Sequence, residues 1–262
     1  MARDDRDRLI ACAEAAAAAA ASVVRPCFRA PLDVARKHDD SPVTIADREA
    51  EQAMRRVIAA HFPKDGILGE EFGHEREGAD RLWVLDPIDG TRAFITGRPL
   101  FGTLIGLLEE GRPVLGLIDQ PITGERWLGF AGEALRFRGP LGGRPGCRSC
   151  PSLAEAELTA TSPAMFSPDQ AARFARLAGA VRRVSWGGDC YGYGLLALGL
   201  IDMIAEADLK LWDWAALVPV IESAGGAACD WQGRPLAIGG DGTILALGDP
   251  VCQEAALALL AG

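Results

Sequence analysis

The chain predicts a layered α/β fold, and three observations carry that expectation. Its 262 residues are 49% hydrophobic and 24% charged, the composition of a globular chain with enough apolar mass for a substantial core. Segments with helical spacing alternate with short apolar runs of strand character. Turn-forming glycines and prolines punctuate the runs, and no internal repeat breaks the alternation. The length allows one large domain or two units sharing a cleft, and the exposed connection over residues 136–151 divides the chain into residues 1–135, an N-terminal α+β subdomain, and residues 136–262, a C-terminal α/β subdomain.

In chain order, Asp5 to Val24 is alanine-rich and closed by Pro26, which makes it a helix. The polar, proline-bounded stretch from Pro31 to Pro42 is a loop. Thr44 to His61 carries Ile45, Met54, Val57 and Ile58 at helical spacing, with acids early and bases late as the helix dipole favours. Leu82 to Leu85 is a buried strand ending at Asp86. Phe101 to Trp127 forms a meander whose turns are Gly111-Arg112-Pro113 and Pro121 to Gly124. Glycine, proline and four arginines (Arg136, Arg138, Arg144, Arg148) make residues 136–151 an exposed connection, read as a solvated loop in preference to an anion site. Helices over Asp169–Leu177 and Tyr191–Leu200, a strand over Ile201–Ala205 and a helix over Trp214–Ser223, stopped by Gly225-Gly226, complete the reading.

A net charge of -9 repels a polyanionic backbone, which disfavours sequence-independent nucleic-acid binding unless a local basic patch overcomes the mean field. No run approaches the ~18 uninterrupted apolar residues of a membrane span. The Ala15 to Ala21 run is unlike a signal core, because Glu14 interrupts it and alternating acids and bases precede it. Seven cysteines, an odd number without repeated spacing, fit reduced thiols in the cytoplasm, and Cys147-x-x-Cys150 reads as a surface-loop coincidence.

Chemistry concentrates in Trp83-Val84-Leu85-Asp86-Pro87-Ile88-Asp89-Gly90-Thr91. Asp86, the Ile88 carbonyl and Asp89 are oxygen ligands of the kind a hard divalent cation takes, on a turn stiffened by Pro87. If a helix starts here, the amides of Gly90 and Thr91 face whatever the cations hold. A plain Asp-Pro and Asp-Gly turn is the alternative. Gly69-Glu70-Glu71 and Trp212-Asp213-Trp214 add carboxylates near element ends, although Glu70 and Glu71 could be solvated and Asp213 could be a helix cap. Together they suit a two-metal phosphoryl-transfer site.

The strings Ser41-Pro42-Val43-Thr44-x-x-Asp47, Gly69-Glu70-Glu71, Trp83 to Thr91 and Trp212-Asp213, in this order, resemble the signature of the inositol monophosphatase family of magnesium-dependent phosphatases. The resemblance implies an α-β-α-β-α fold like that of fructose-bisphosphatase, hydrolysis of a small phosphomonoester, two or three Mg²⁺ ions per active site and a homodimer. It implies that Glu70, Asp86, Asp89, Asp213 and the Ile88 carbonyl hold the metals, while a hydrogen-bonded Asp47 and Thr91 pair orients the attacking water, with Glu70 also at the catalytic centre. Asp89, Gly90, Thr91 and Asp213 would flank the substrate.

Arg92-Ala93-Phe94-Ile95-Thr96-Gly97 after the metal turn looks like the histidinol-phosphate phosphatase branch, which serves histidine biosynthesis. Gly187-Gly188-Asp189-Cys190-Tyr191 places a carboxylate where polyol-specific relatives carry small neutral residues, and a carboxylate favours the histidinol ammonium. Asp189 as a helix cap is the alternative. Arg92 and Arg183 are further candidates for contact with the substrate, and Arg92 could instead pair with a neighbouring acid. Inositol 1-phosphate is the second substrate; fructose 1,6-bisphosphate and a non-catalytic phosphometabolite-binding role stand behind it.

Overall fold

The computed structural model describes residues 3–31, 34–36 and 42–261. His38 and Ser41 lie outside them. The N-terminal half runs α1 (Arg3–Cys27), β1 (Val34–Arg36), β2 (Pro42–Thr44), α2 (Ile45–His61), β3 (Gly66–Gly69), β4 (Gly73–Glu75), β5 (Arg81–Asp89), α3 (Thr91–Ile95), β6 (Gly102–Glu109), β7 (Arg112–Gln120), β8 (Glu125–Phe130) and β9 (Arg136–Arg138). Then follow β10 (Glu157–Ala160), α4 (Pro168–Ala180), β11 (Arg183–Trp186), α5 (Asp189–Leu196), β12 (Met203–Glu206), α6 (Leu211–Trp214), α7 (Leu217–Ser223), β13 (Ala227–Cys229), β14 (Ile244–Leu247) and α8 (Gln253–Leu260).

Helix and sheet alternate in five layers. The buried face of α1, from Leu9 through Ala13, Ala16, Ala17 and Ala20 to Val24, packs with Met54 and Ile58 of α2 on one face of a seven-stranded sheet ordered β4-β3-β5-β6-β7-β8-β9. Tyr193 and Leu196 of α5 and Val220 and Ile221 of α7 fill the layer between its other face and a five-stranded sheet ordered β11-β10-β12-β14-β13. Phe174 and Leu177 of α4 and Ala256 and Leu260 of α8 cover the far side of that second sheet. By length and hydropathy α1 would pass as a membrane span, yet half of its most apolar window is buried inside the fold.

A row of glycines sets the depth of the middle layer. The ladder aligns Gly106, Gly116 and Gly129 directly across β6, β7 and β8. A Cβ at Gly116 would overlap the Ala216 carbonyl, and one at Gly129 the Pro219 carbonyl, so the bare backbone lets α6 and α7 lie on the sheet.

Several boundaries differ from the sequence expectation. Pro26 sits inside the last turn of α1 and does not stop it. The helix expected over Trp214–Ser223 is two pieces, because Pro219 has no N–H to give the Ala215 carbonyl. α5 begins two residues early and ends at Leu196, the Leu200 amide closing back on the Leu195 carbonyl at 3.0 Å around Gly199 in a left-handed conformation. The following strand shifts to end on Glu206. Residues 136–138 are not loop: they pair with β8 and carry the first sheet three residues past the expected boundary. Cys150 belongs to the outer core at 4% exposure, its amide held by Asp249 at 2.9 Å, which corrects the surface-loop reading of Cys147-x-x-Cys150; all seven cysteines are free thiols.

Candidate metal centre and substrate cavity

β3 and β5 run parallel with Gly69 opposite Leu85, so the residues that follow, Glu70 and Asp86, leave the sheet side by side. Their carboxyl groups lie close enough to repel one another. Beyond Asp86 the ladder with β6 slips by a bulge before Asp89 pairs with Gly102, and the slip turns both aspartates toward one point. The Ile88 amide donates to Asp86 Oδ1 at 3.0 Å, while the Thr103 hydroxyl fixes the Pro87 carbonyl at 2.8 Å. α6 brings Asp213 from the other side; as the third residue of that helix it accepts the Lys210 amide at 2.6 Å, and Lys210 occupies the cap position. Carboxylate oxygens of Asp86, Asp89 and Asp213 lie within 4.8 Å of one another.

Burial is the largest cause raising the carboxyls of Asp86 and Asp89 well above the usual range. Repulsion by Glu70, Asp89 and Asp213 adds to it at Asp86, and by Asp189 and Asp213 at Asp89. Asp213 is pushed up to about 7, first by burial and then by Glu70. A crowded set of hard oxygen donors that cannot all ionise unaided fits a divalent cation with oxygen preference.

The Asp47 and Thr91 pairing is corrected. Asp47 is buried and takes both the amide and the hydroxyl of Thr44, at 2.8 and 2.6 Å, closing a capping box at the start of α2. The Thr91 hydroxyl donates to the Ile88 carbonyl at 3.2 Å. Glu71 has its side chain buried beside the Arg48 guanidinium at 3.9 Å, which rules out the solvated alternative for it. Gly90 caps the short α3 with φ of 87°, and a Cβ there would crowd the Asp189 carboxylate, so the turn and Asp189 touch.

Asp189 is not the cap of α5. Gly188 holds that position without a side-chain cap bond, and Asp189 takes a left-handed φ of 44° at the first helical residue. The Cys190 amide next to it donates to Asp89 Oδ2 at 2.6 Å, tying α5 to the acidic cluster. Asp189 lines a cavity of about 200 Å³ together with Asp89, Asp213, Asp208, Glu206 and Met165. Burial pushes its carboxyl up to about 7, with Glu206 adding repulsion and Arg98 and Arg92 opposing it. Arg92 is exposed on α3 and, among the described residues, forms no ion pair. Arg183 is brought nowhere near: it starts β11 at the end away from Gly187, and its guanidinium chelates Glu157 at 2.6 to 3.0 Å.

Glu206 went unread in the sequence. It ends β12 almost fully buried, accepting the Thr161 amide at 2.6 Å and the Tyr193 hydroxyl at 2.7 Å. Its one local signal was an acid after the apolar run Met203-Ile204-Ala205; the partners come from β10 and α5.

Three comparisons bear on this geometry. The model of the inositol monophosphatase family matches residues 5–261. A histidinol-phosphatase of Chlorobaculum parvum is 40% identical over 83% of each chain, and one of Mycobacterium tuberculosis 38% identical over 77% of this chain and 79% of its own. The chloroplastic bifunctional phosphatase IMPL2 of Arabidopsis thaliana is 49% identical over 87% of this chain, a match that spans 66% of that longer protein. Among solved structures, an inositol monophosphatase from Zymomonas mobilis superposes with a TM-score of 0.88 at 48% identity over 99% of both chains.

Proposed function

Because the chain belongs to the inositol monophosphatase family and is a phosphatase, we propose that its reaction is the Mg²⁺-dependent hydrolysis of L-histidinol phosphate to L-histidinol and phosphate. The observation that carries this reading is the acidity of the cavity. With Asp89 and Asp213 engaged by metal, Asp189, Glu206 and Asp208 still line the space where the organic end of a phosphomonoester would sit, which suits an ammonium better than a neutral polyol. The similarity to curated histidinol-phosphatases supports it.

Glu70, Asp86, Asp89, Asp213 and the Ile88 carbonyl would hold two or three Mg²⁺ ions. Bound Mg²⁺ supplies countercharge to the phosphate dianion and acidifies a coordinated water. The chain's own part is positional. Pro87 and the Thr103 hydroxyl stiffen the turn that aims Asp86 and Asp89, the Cys190 amide fixes one oxygen of Asp89, and the Thr91 hydroxyl orients the Ile88 carbonyl. Buried Asp47, held by Thr44, remains a candidate to receive a proton at this end of the site. Gly90 gives the substrate close access to backbone. A homodimer and a cytoplasmic location belong to the same proposal; the seven free thiols suit a reducing compartment.

Asp189→Asn tests the assignment. Loss of a charge-assisted contact to the ammonium should lower kcat/KM for histidinol phosphate by roughly ten- to a hundredfold and leave an uncharged aryl phosphate nearly untouched. Equal losses on both substrates would mark a metal-site defect, and no loss on either would remove Asp189 from recognition. Inositol 1-phosphate is the second reading, supported by the 48% identity to the Zymomonas mobilis inositol monophosphatase.

A further inference from the structure

A second charged cavity lies across the first sheet from the acidic cluster. The ladder sets Asp119 of β7 opposite Arg126 of β8, and Arg126 opposite Arg138 of β9, so the three side chains stand in a row on one sheet face. That face is the one α1 covers, since Arg126 Nη1 reaches the Glu14 carbonyl at 3.4 Å. Arg25, in the last turn of α1, overhangs the row with its Nε on the Pro121 carbonyl at 2.7 Å. With Gly124 and Pro140 these residues line an open pocket of about 370 Å³.

The charges do not balance. Arg126 is 7% exposed, gives its Nε to Asp119 Oδ1 at 2.6 Å and its Nη1 to the Glu14 carbonyl, and among the described residues its Nη2 makes no hydrogen bond. Among the described residues the terminal nitrogens of Arg25 and the Arg138 side chain make no hydrogen bond or ion pair, and both side chains are exposed. One carboxylate therefore faces three guanidiniums, in a chain whose net charge is -9. Like charges directly opposite on neighbouring strands weaken a sheet. An edge-strand arginine that discourages pairing would account for Arg138 alone. It does not account for the open donor on buried Arg126, nor for Arg25 closing over the same space.

We infer that this cavity binds a compact phosphate-bearing anion, which supplies the missing negative charge through the forked donors of Arg25, Arg126 and Arg138. The site is separate from the metal centre and is not needed for the hydrolysis argued above. It also revises the reading of residues 136–151 as merely solvated, because the strand pairing lifts Arg138 out of the loop and sets it over Arg126.

Isothermal titration of the chelator-treated protein with inorganic phosphate at constant ionic strength tests it, since without metal the acidic cluster repels anions. Saturable binding of about one equivalent is expected, weakened at least tenfold, roughly the effect of one charge-assisted contact, in Arg138→Ala, partly retained in Arg138→Lys and unchanged in Asp213→Asn. Arg138 has no partner to lose and faces Arg126 across the ladder, so the unfolding temperature of Arg138→Ala should equal or exceed that of the parent. Heat that does not saturate in the parent, equal affinity in Arg138→Ala, or altered affinity in Asp213→Asn would overturn the inference.

Discussion

Asp89 and Asp213 each put a carboxylate into the shared cluster, and each is fixed by one backbone amide, of Cys190 and Lys210 respectively. Replacing either with asparagine keeps the shape and removes a charge from the proposed metal site, so kcat should fall by about a hundredfold or more while the fold persists. Glu71→Gln should cost far less, because that carboxylate is turned to Arg48; steady-state kinetics on the three variants separate the roles, and a Glu71→Gln loss equal to that of Asp213→Asn would contradict them. The convergence of Asp86, Asp89 and Asp213 was legible because each sits in a short acid-bearing string near an element end. Glu206 and the true partners of Asp47 and Thr91 were not. The Glu206 bonds depend on which strand and helix lie alongside, which the order of residues does not encode locally, whereas the partners of Asp47 and Thr91 stand only three residues away, in strings where the family resemblance implies a different pairing.

Elements with strong periodicity, α1 and α2, and the meander β6-β7-β8 could be read within a few residues, since burial on one face leaves a regular pattern. The breaks at Ala215-Ala216 and after Leu196 were missed because they answer to Pro219 and to a left-handed glycine, which override an apolar run. The glycine row across β6, β7 and β8 was equally silent, yet it determines how closely α6, and with it Asp213, approaches the metal turn. Gly116→Ala should force that helix off the sheet, because the obstruction is the Ala216 backbone carbonyl and cannot rotate away. The expected result is a loss of about 1 to 3 kcal/mol in stability together with a lower kcat. Full activity with an unchanged unfolding temperature would show that the layer can shift freely.

The whole molecule is a metal-dependent phosphatase fold whose two sheets meet around acids that repel one another. Asp86, Asp89, Asp189 and Asp213 all have raised carboxyl pKa values in the folded chain, the last two at about 7, against about 4 in the unfolded chain. Below about pH 4 the folded and unfolded chains are both protonated and nothing is lost; between there and about pH 7 the folded state holds protons that the unfolded state has released, so stability falls as pH rises. Asp202, whose carboxyl is lowered by Arg148, contributes in the opposite sense, gaining as pH rises toward about 4, below most of that window. The metal-free protein should therefore melt several degrees lower at about pH 8 than at about pH 5, and saturating Mg²⁺ should raise the melting temperature more at the higher pH. Calorimetry with and without chelator checks both signs. The central claim, that a metal-loaded acidic cavity selects a cationic phosphomonoester, is tested most directly by kcat/KM for histidinol phosphate and inositol 1-phosphate in parallel, with Mg²⁺ and after exhaustive chelation. The account predicts a clear preference for histidinol phosphate, abolished by chelator and restored by Mg²⁺; turnover that survives chelation, or a preference for inositol 1-phosphate, would contradict it.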